Sequence, residues 1–94
     1  QRLWVGEEPY DWIELGSIHR IVNREIVTLF HDPTPIQRVD LINRGRCGYL
    51  VQLAHSFWIV ESTSGRPEDY LITNVTDAQS KLLYDYSTRI YPTE

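Results

Sequence analysis

Short apolar runs, broken by glycine, proline and small polar residues, recur along most of the chain, and only its last part carries a helical period. Leu3–Val5 and Trp12–Leu15 give brief strand signals on either side of Glu7-Glu8-Pro9. Ile18, Ile21, Val22, Ile26, Leu29 and Phe30 fit a helical stripe. Yet Ile18, Ile21, Val22, Ile26, Val27 and Thr28 are β-branched and stiff at χ1, which favours strand. This region reads as a loop or short strand up to Asn23, then a strand over Glu25–Phe30. His31-Asp32-Pro33-Thr34-Pro35 is a turn, because two prolines so close break any regular element. Gln37–Ile42 predicts a strand with Gln37, Val39 and Leu41 on one face, and Asn43–Gly48 a loop. Tyr49–Leu53 and Phe57–Glu61 follow as strands around Ala54-His55-Ser56. Ser62–Asp69 is a second loop and Tyr70–Val75 a final strand. Thr76 or Asp77 then caps a helix over residues 77–91. Its stripe is Ala78, Leu82, Tyr86 and Ile90, widened by Leu83 and stopped at Pro92. Strands spaced in this way predict a mainly β fold, a small antiparallel barrel with the helix covering one open side.

The chain has 94 residues, room for a single domain with one modest core. Three tryptophans, six tyrosines and two phenylalanines argue against intrinsic disorder. A net charge of −4 argues against a nucleic-acid polymer as partner. The charge is uneven. Residues 1–16 set Arg2 against Glu7, Glu8, Asp11 and Glu14, and residues 48–94 are also acidic on balance. Residues 17–47 set five arginines against Glu25, Asp32 and Asp40. A basic zone inside an acidic chain points to a local anion site. Cys47 is alone, so no internal disulfide forms and a reducing compartment is the simpler reading. No apolar stretch approaches the ~20 residues of a membrane span, and no signal peptide is present. The absence of methionine suggests a domain of a longer protein or a processed product. Asn74-Val75-Thr76 matches a glycosylation acceptor triplet, which matters only in a secreted eukaryotic protein.

Within the basic zone, Arg20-Ile21-Val22-Asn23-Arg24 sets two arginines four apart, just before a predicted strand. Asp40-Leu41-Ile42-Asn43-Arg44-Gly45 follows, and the tail from Tyr70 to Tyr86 runs from strand into helix. This order resembles the PilZ domain, a bacterial receptor for cyclic di-GMP, over roughly residues 18–91. The resemblance implies a six-stranded β-barrel with a C-terminal helix, and leaves residues 1–16 as a possible N-terminal extension. The first segment resembles the family's Arg-x-x-x-Arg element. The second resembles its Asp-x-Ser-x-x-Gly turn, with Asp40 and Gly45 at matching spacing, Ile42 in the serine's place and Asn43 one position on.

What the resemblance implies is a ligand site of Arg20, Arg24, Asp40, Asn43 and Gly45 in a cytoplasmic, non-enzymatic regulatory domain. Arginine forks onto phosphate oxygens or guanine O6 and N7. Asp40 would accept from guanine N1 and N2, Asn43 would supply an amide for the missing hydroxyl, and Gly45 would admit close backbone approach. The alternative implied by Ile42 is an adaptor of the same fold that has lost the nucleotide and works through a protein partner or neighbouring domain. The bland reading of Arg20 and Arg24 is ion pairing with Glu25 or Asp40, or solvation at the surface. An aspartate before a turn, as Asp40 is, more often caps its own backbone than binds a ligand, and Gly45 and Gly48 suit turn geometry.

Other chemistry is less well supported. Cys47 beside Arg46 is set for thiolate, and His19, His31 and His55 are potential bases, but no triad-type spacing joins them. Zinc ligands usually come in close pairs, which these four residues do not form, so no metal or other resident cofactor is expected. Glu7 and Glu8 are adjacent and would face opposite sides of a strand. Trp4, Trp12 and Tyr84 are candidates for an interface with another domain.

Overall fold

The computed structural model describes residues 3–5, 11–43, 47–84 and 87–91. Two antiparallel sheets face each other. The first has four strands in chain order: β1 (Leu3–Val5), β2 (Asp11–Glu14), β3 (Ser17–Val22) and β4 (Glu25–His31). The second contains β5 (Arg38–Asn43), β6 (Cys47–Gln52), β7 (Phe57–Ser62), β8 (Leu71–Val75) and β9 (Ser87–Tyr91), in the order β8-β7-β6-β5-β9. A short 3-10 turn, Pro67–Asp69, precedes β8, and a helix, α1 (Asp77–Tyr84), separates β8 from β9.

The main core fills the space between the sheets. Ile13, Ile18, Leu29 and Phe30 of the first sheet meet Val39, Tyr49, Val51 and Val60 of the second, with Ile36 and Leu53 from the connecting loops. The pleat sends alternate residues to opposite faces. Ile42 and Leu50 therefore point away from the first sheet, and with Leu83 of α1 they form a smaller cluster. The molecule is thus layered as sheet, sheet and helix. Along β3 and β4, Ile18 opposes Phe30 and His19 opposes Thr28, so Leu29 is the extra residue of a β-bulge. The bulge lets neighbouring Leu29 and Phe30 both reach the core.

Three expectations need correction. The sheets do not close into a six-stranded barrel: nine strands lie among the described residues, in two open sheets. Pro33 and Pro35 sit in the connection between β4 and β5, which carries the chain from one sheet to the other without pairing those strands. Of the segment expected as a possible N-terminal extension, the described residues Leu3–Val5 and Asp11–Glu14 are strands of the first sheet. The helix stops at Tyr84 instead of running to residue 91, and Ser87–Tyr91 is a strand paired with β5. Thr76 is its cap: the Thr76 hydroxyl accepts the Gln79 N–H at 3.2 Å, and the Gln79 side-chain oxygen accepts the Thr76 N–H at 2.9 Å. Its covered face is Ser80, Leu83 and Tyr84, while Ala78 and Leu82 of the expected stripe are exposed. The open edge of β5 competes for the β-branched and aromatic residues Thr88, Ile90 and Tyr91, and a ladder there wins over helix propagation.

The β2–β3 turn, Leu15-Gly16, is strained. Leu15 has φ 53°, a left-handed conformation in which its Cβ crowds the backbone, and its side chain is 80% exposed. Leu15→Gly therefore removes strain without removing core packing. It should raise stability by up to about 1 kcal/mol in urea unfolding, the gain being trimmed by glycine's greater freedom in the unfolded chain.

Candidate functional site

Arg20 faces inward. It lies opposite Asp11 in the β2–β3 ladder, on the face that carries Ile13 and Ile18. Its Nε donates to Asp11 Oδ1 at 2.6 Å and its Nη2 to Asp11 Oδ2 at 3.0 Å, a bidentate pair. Nη2 also donates to the Tyr70 hydroxyl at 2.7 Å, and Nη1 donates to the Gly65 carbonyl at 2.7 Å. The guanidinium lies 5.1 Å from the Tyr70 ring centroid. From the other sheet, the Tyr49 hydroxyl donates to Asp11 Oδ2 in a short contact. Asp11 is buried, and its carboxylate therefore joins both sheets and, through Arg20, the 63–70 loop.

That loop is fixed locally as well. Ser62 Oγ accepts the N–H groups of Ser64 and Gly65 at 3.2 and 2.9 Å. Ser64 Oγ donates to Asp69 at 2.6 Å, which lowers the Asp69 pKa, and Arg66 pairs with the same carboxylate at 3.2 Å.

Burial pushes the Tyr49 hydroxyl well above the usual tyrosine range, and its hydrogen bond to the Asp11 carboxylate adds to the shift. A raised folded-state pKa stabilises the protein fully below the unfolded value of about 10, and this contribution is lost as pH rises towards the folded value. Urea midpoints should therefore fall above about pH 10, and Tyr49→Phe should reduce that fall. The same substitution removes a donor from Asp11, so the neutral-pH midpoint should drop by an amount matching roughly 1 kcal/mol.

Asp40 occupies a different environment. It is fully buried on β5, where Oδ2 accepts from Arg38 Nε at 2.8 Å and Oδ1 from Nη2 at 3.3 Å. The Arg38 guanidinium lies 4.0 Å from the ring centroid of Tyr84 on α1. Asp40 pairs across the ladder with Leu50, whose side chain belongs to the helix-side cluster, whereas the neighbouring Tyr49 belongs to the core between the sheets. Arg20 and Asp40 therefore sit on opposite faces of the second sheet.

The remaining expected ligand residues do not join them. Arg24 is exposed in the Asn23-Arg24 turn, whose φ values of 51° and 69° suit a tight hairpin. Asn43 ends β5 opposite Cys47. Gly45 lies outside the described residues. Arg38 was not singled out by the spacing of the arginine pair. Its signal was the Arg38-x-Asp40 interval, which puts both side chains on one strand face.

His19 Nδ1 contacts Thr28 Oγ1 at 2.9 Å and His31 Nδ1 contacts Ser17 Oγ at 2.7 Å. Among the described residues, no group of three or more His, Cys, Asp or Glu side chains is placed to hold a metal ion. No helix among them is long and apolar enough to cross a membrane.

One surface stands out by its lack of cover. β8 is an edge strand among the described residues, and Leu71, Ile72, Thr73 and Asn74 are all exposed, Leu71 at 63% and Ile72 at 47%. Because these four positions alternate between faces, β8 is uncovered on both sides. The chain matches no family model, no curated protein and no solved structure.

Proposed function

We propose that this domain is a non-enzymatic protein-interaction module, the adaptor alternative set by the resemblance, and that it works without cyclic di-GMP. The observation that carries this reading is β8, a strand with no charged residue and four consecutive exposed positions on an edge that no other strand covers among the described residues. Large apolar side chains left in water favour association with another surface. The nucleotide reading draws less support from the geometry. Four N–H donations from Arg20 are spent on Asp11, Tyr70 and Gly65, and both Asp40 oxygens accept from Arg38 on the far side of the second sheet. To grip phosphate, Arg20 would have to abandon a buried carboxylate.

Calorimetric titration with cyclic di-GMP tests the reading. The intact domain should give no binding heat at micromolar ligand. Saturable heat that disappears in Arg24→Ala, a substitution at an exposed turn, would overturn the adaptor reading in favour of the receptor.

A further inference from the structure

We infer that β8 receives an extended segment of a partner protein as an added antiparallel strand, and that the partner carries lysine or arginine immediately after its apolar residues. The inference rests on the interaction-module reading and names the surface and the chemistry of the occupant.

Sheet edges are usually protected by charge, proline, a bulge or a covering segment, because their free N–H and C=O groups template another strand. The edge of β4 has such protection. It contains the Leu29 bulge, and the 3-10 turn Pro67–Asp69 packs near this strand. β8 has none: Leu71-Ile72-Thr73-Asn74-Val75 contains no proline, lysine or carboxylate, and its register with β7 is unbroken from Phe57↔Val75 to Glu61↔Leu71. An uncharged, regular, uncovered edge suits β-strand addition, in which main-chain hydrogen bonds supply affinity and alternate side chains supply selectivity. The sheet is antiparallel throughout, and an antiparallel addition continues it with the more stable hydrogen-bond pattern.

Charge decides the occupant. Glu68 and Asp69 precede β8 and Asp77 follows it, with Asp69 paired to Arg66 at 3.2 Å and Asp77 to Lys81 at 3.4 Å, so of these three Glu68 is the carboxylate left open beside the strand. Two copies paired antiparallel about Thr73 would set Asp69 of one against Asp77 of the other, each already ion-paired within its own chain, so self-pairing gains no charge attraction and gives Glu68 no cation. A foreign strand running antiparallel places its C-terminal end beside Leu71. Cations just after its apolar run would then meet Glu68, while Asp69 stays with Ser64 and Arg66. Its side chains would alternate between the Leu71–Thr73–Val75 face and the Ile72–Asn74 face, so β-branched or apolar residues suit both.

The test uses the intact chain and a capped synthetic peptide, Thr-Val-Thr-Val-Thr-Lys-Lys, with a second peptide ending in Glu-Glu. Amide hydrogen exchange followed by NMR should show residues 71–75 slowed about tenfold or more at saturating lysine peptide. Affinity should fall about tenfold for the glutamate peptide and for Thr73→Lys, which places a charge on the exposed strand. Thr73→Val should retain binding, which separates loss of the edge from loss of the fold. Three results would overturn the inference: no peptide binding, binding that leaves residues 71–75 unprotected, or self-association of the intact chain that Thr73→Lys abolishes. None of these would restore the nucleotide reading, which the cyclic di-GMP titration addresses separately.

Discussion

Asp11→Ala should lower the stability of the domain by about 3–5 kcal/mol, the range for removing one partner of a buried ion pair. The Asp11–Arg20 pair is well shielded, with side-chain exposures of 4% and 18%. Its strength lies less in Coulomb attraction than in what its removal would strand. Arg20 would lose two charge-assisted hydrogen bonds while remaining largely out of water, and the Tyr49 hydroxyl would lose its acceptor inside the core. A domain of this size has a total stability of order 5–15 kcal/mol, so the loss would bring a marginal fold near its midpoint at room temperature. Urea unfolding followed by circular dichroism gives the value. A loss under about 1 kcal/mol would mean that the pair behaves as a solvent-exposed one. The triple change Asp11→Leu, Arg20→Met, Tyr49→Phe should recover part of the loss, because it removes the polar groups together and leaves none stranded.

Gly16→Ala should be nearly as damaging, at about 3 kcal/mol or more. A Cβ at Gly16 would overlap the backbone carbonyl oxygens of Asp32 and Thr34. Those atoms cannot easily yield, since Asp32 N–H donates to the Gly16 carbonyl at 2.9 Å and Ile36 N–H donates to the Leu15 carbonyl at 2.9 Å. The contact locks the β2–β3 turn to the loop that changes sheets, so relief would have to come from moving both. Gly65→Ala supplies the contrast. Its Cβ would meet nothing within 4 Å, but φ is +79°, so the cost should be only the left-handed penalty of about 1–2 kcal/mol. Thermal unfolding of both variants separates steric overlap from backbone strain. Equal shifts would mean that the Asp32–Thr34 loop moves aside.

The strands of the second sheet were largely legible because their signal is local. Phe57–Glu61 and Tyr70–Val75, read from β-branched and aromatic content between turn residues, correspond to Phe57–Ser62 and Leu71–Val75. Val39 and Leu41 do share the core face, as alternation requires. The four-residue period of Ala78, Leu82, Tyr86 and Ile90 overshoots the helix, because spacing alone does not separate one helical stripe from residues of two successive elements. Ile90 belongs to a strand whose ladder partner, β5, lies more than forty positions earlier in the chain. The ligand set was harder to read. Arg20–Arg24 spacing says nothing of Asp11, nine positions earlier, or of Tyr70, fifty later, and those two groups determine where the guanidinium points. Pairing across sheets is a tertiary fact with no periodic trace.

The position of β9 bears on how the molecule assembles. Ser87–Tyr91 takes its place beside Val39–Ile42, although three strands, a 3-10 turn and a helix are made between them. During synthesis, β5 therefore waits with one flank bare until residue 91 has left the ribosome, and closing so long a loop is slow compared with the hairpins that form behind it. Chaperone capture or premature oligomerisation of nascent chains would be expected in that interval, at β5 and not at the hairpins of the first sheet.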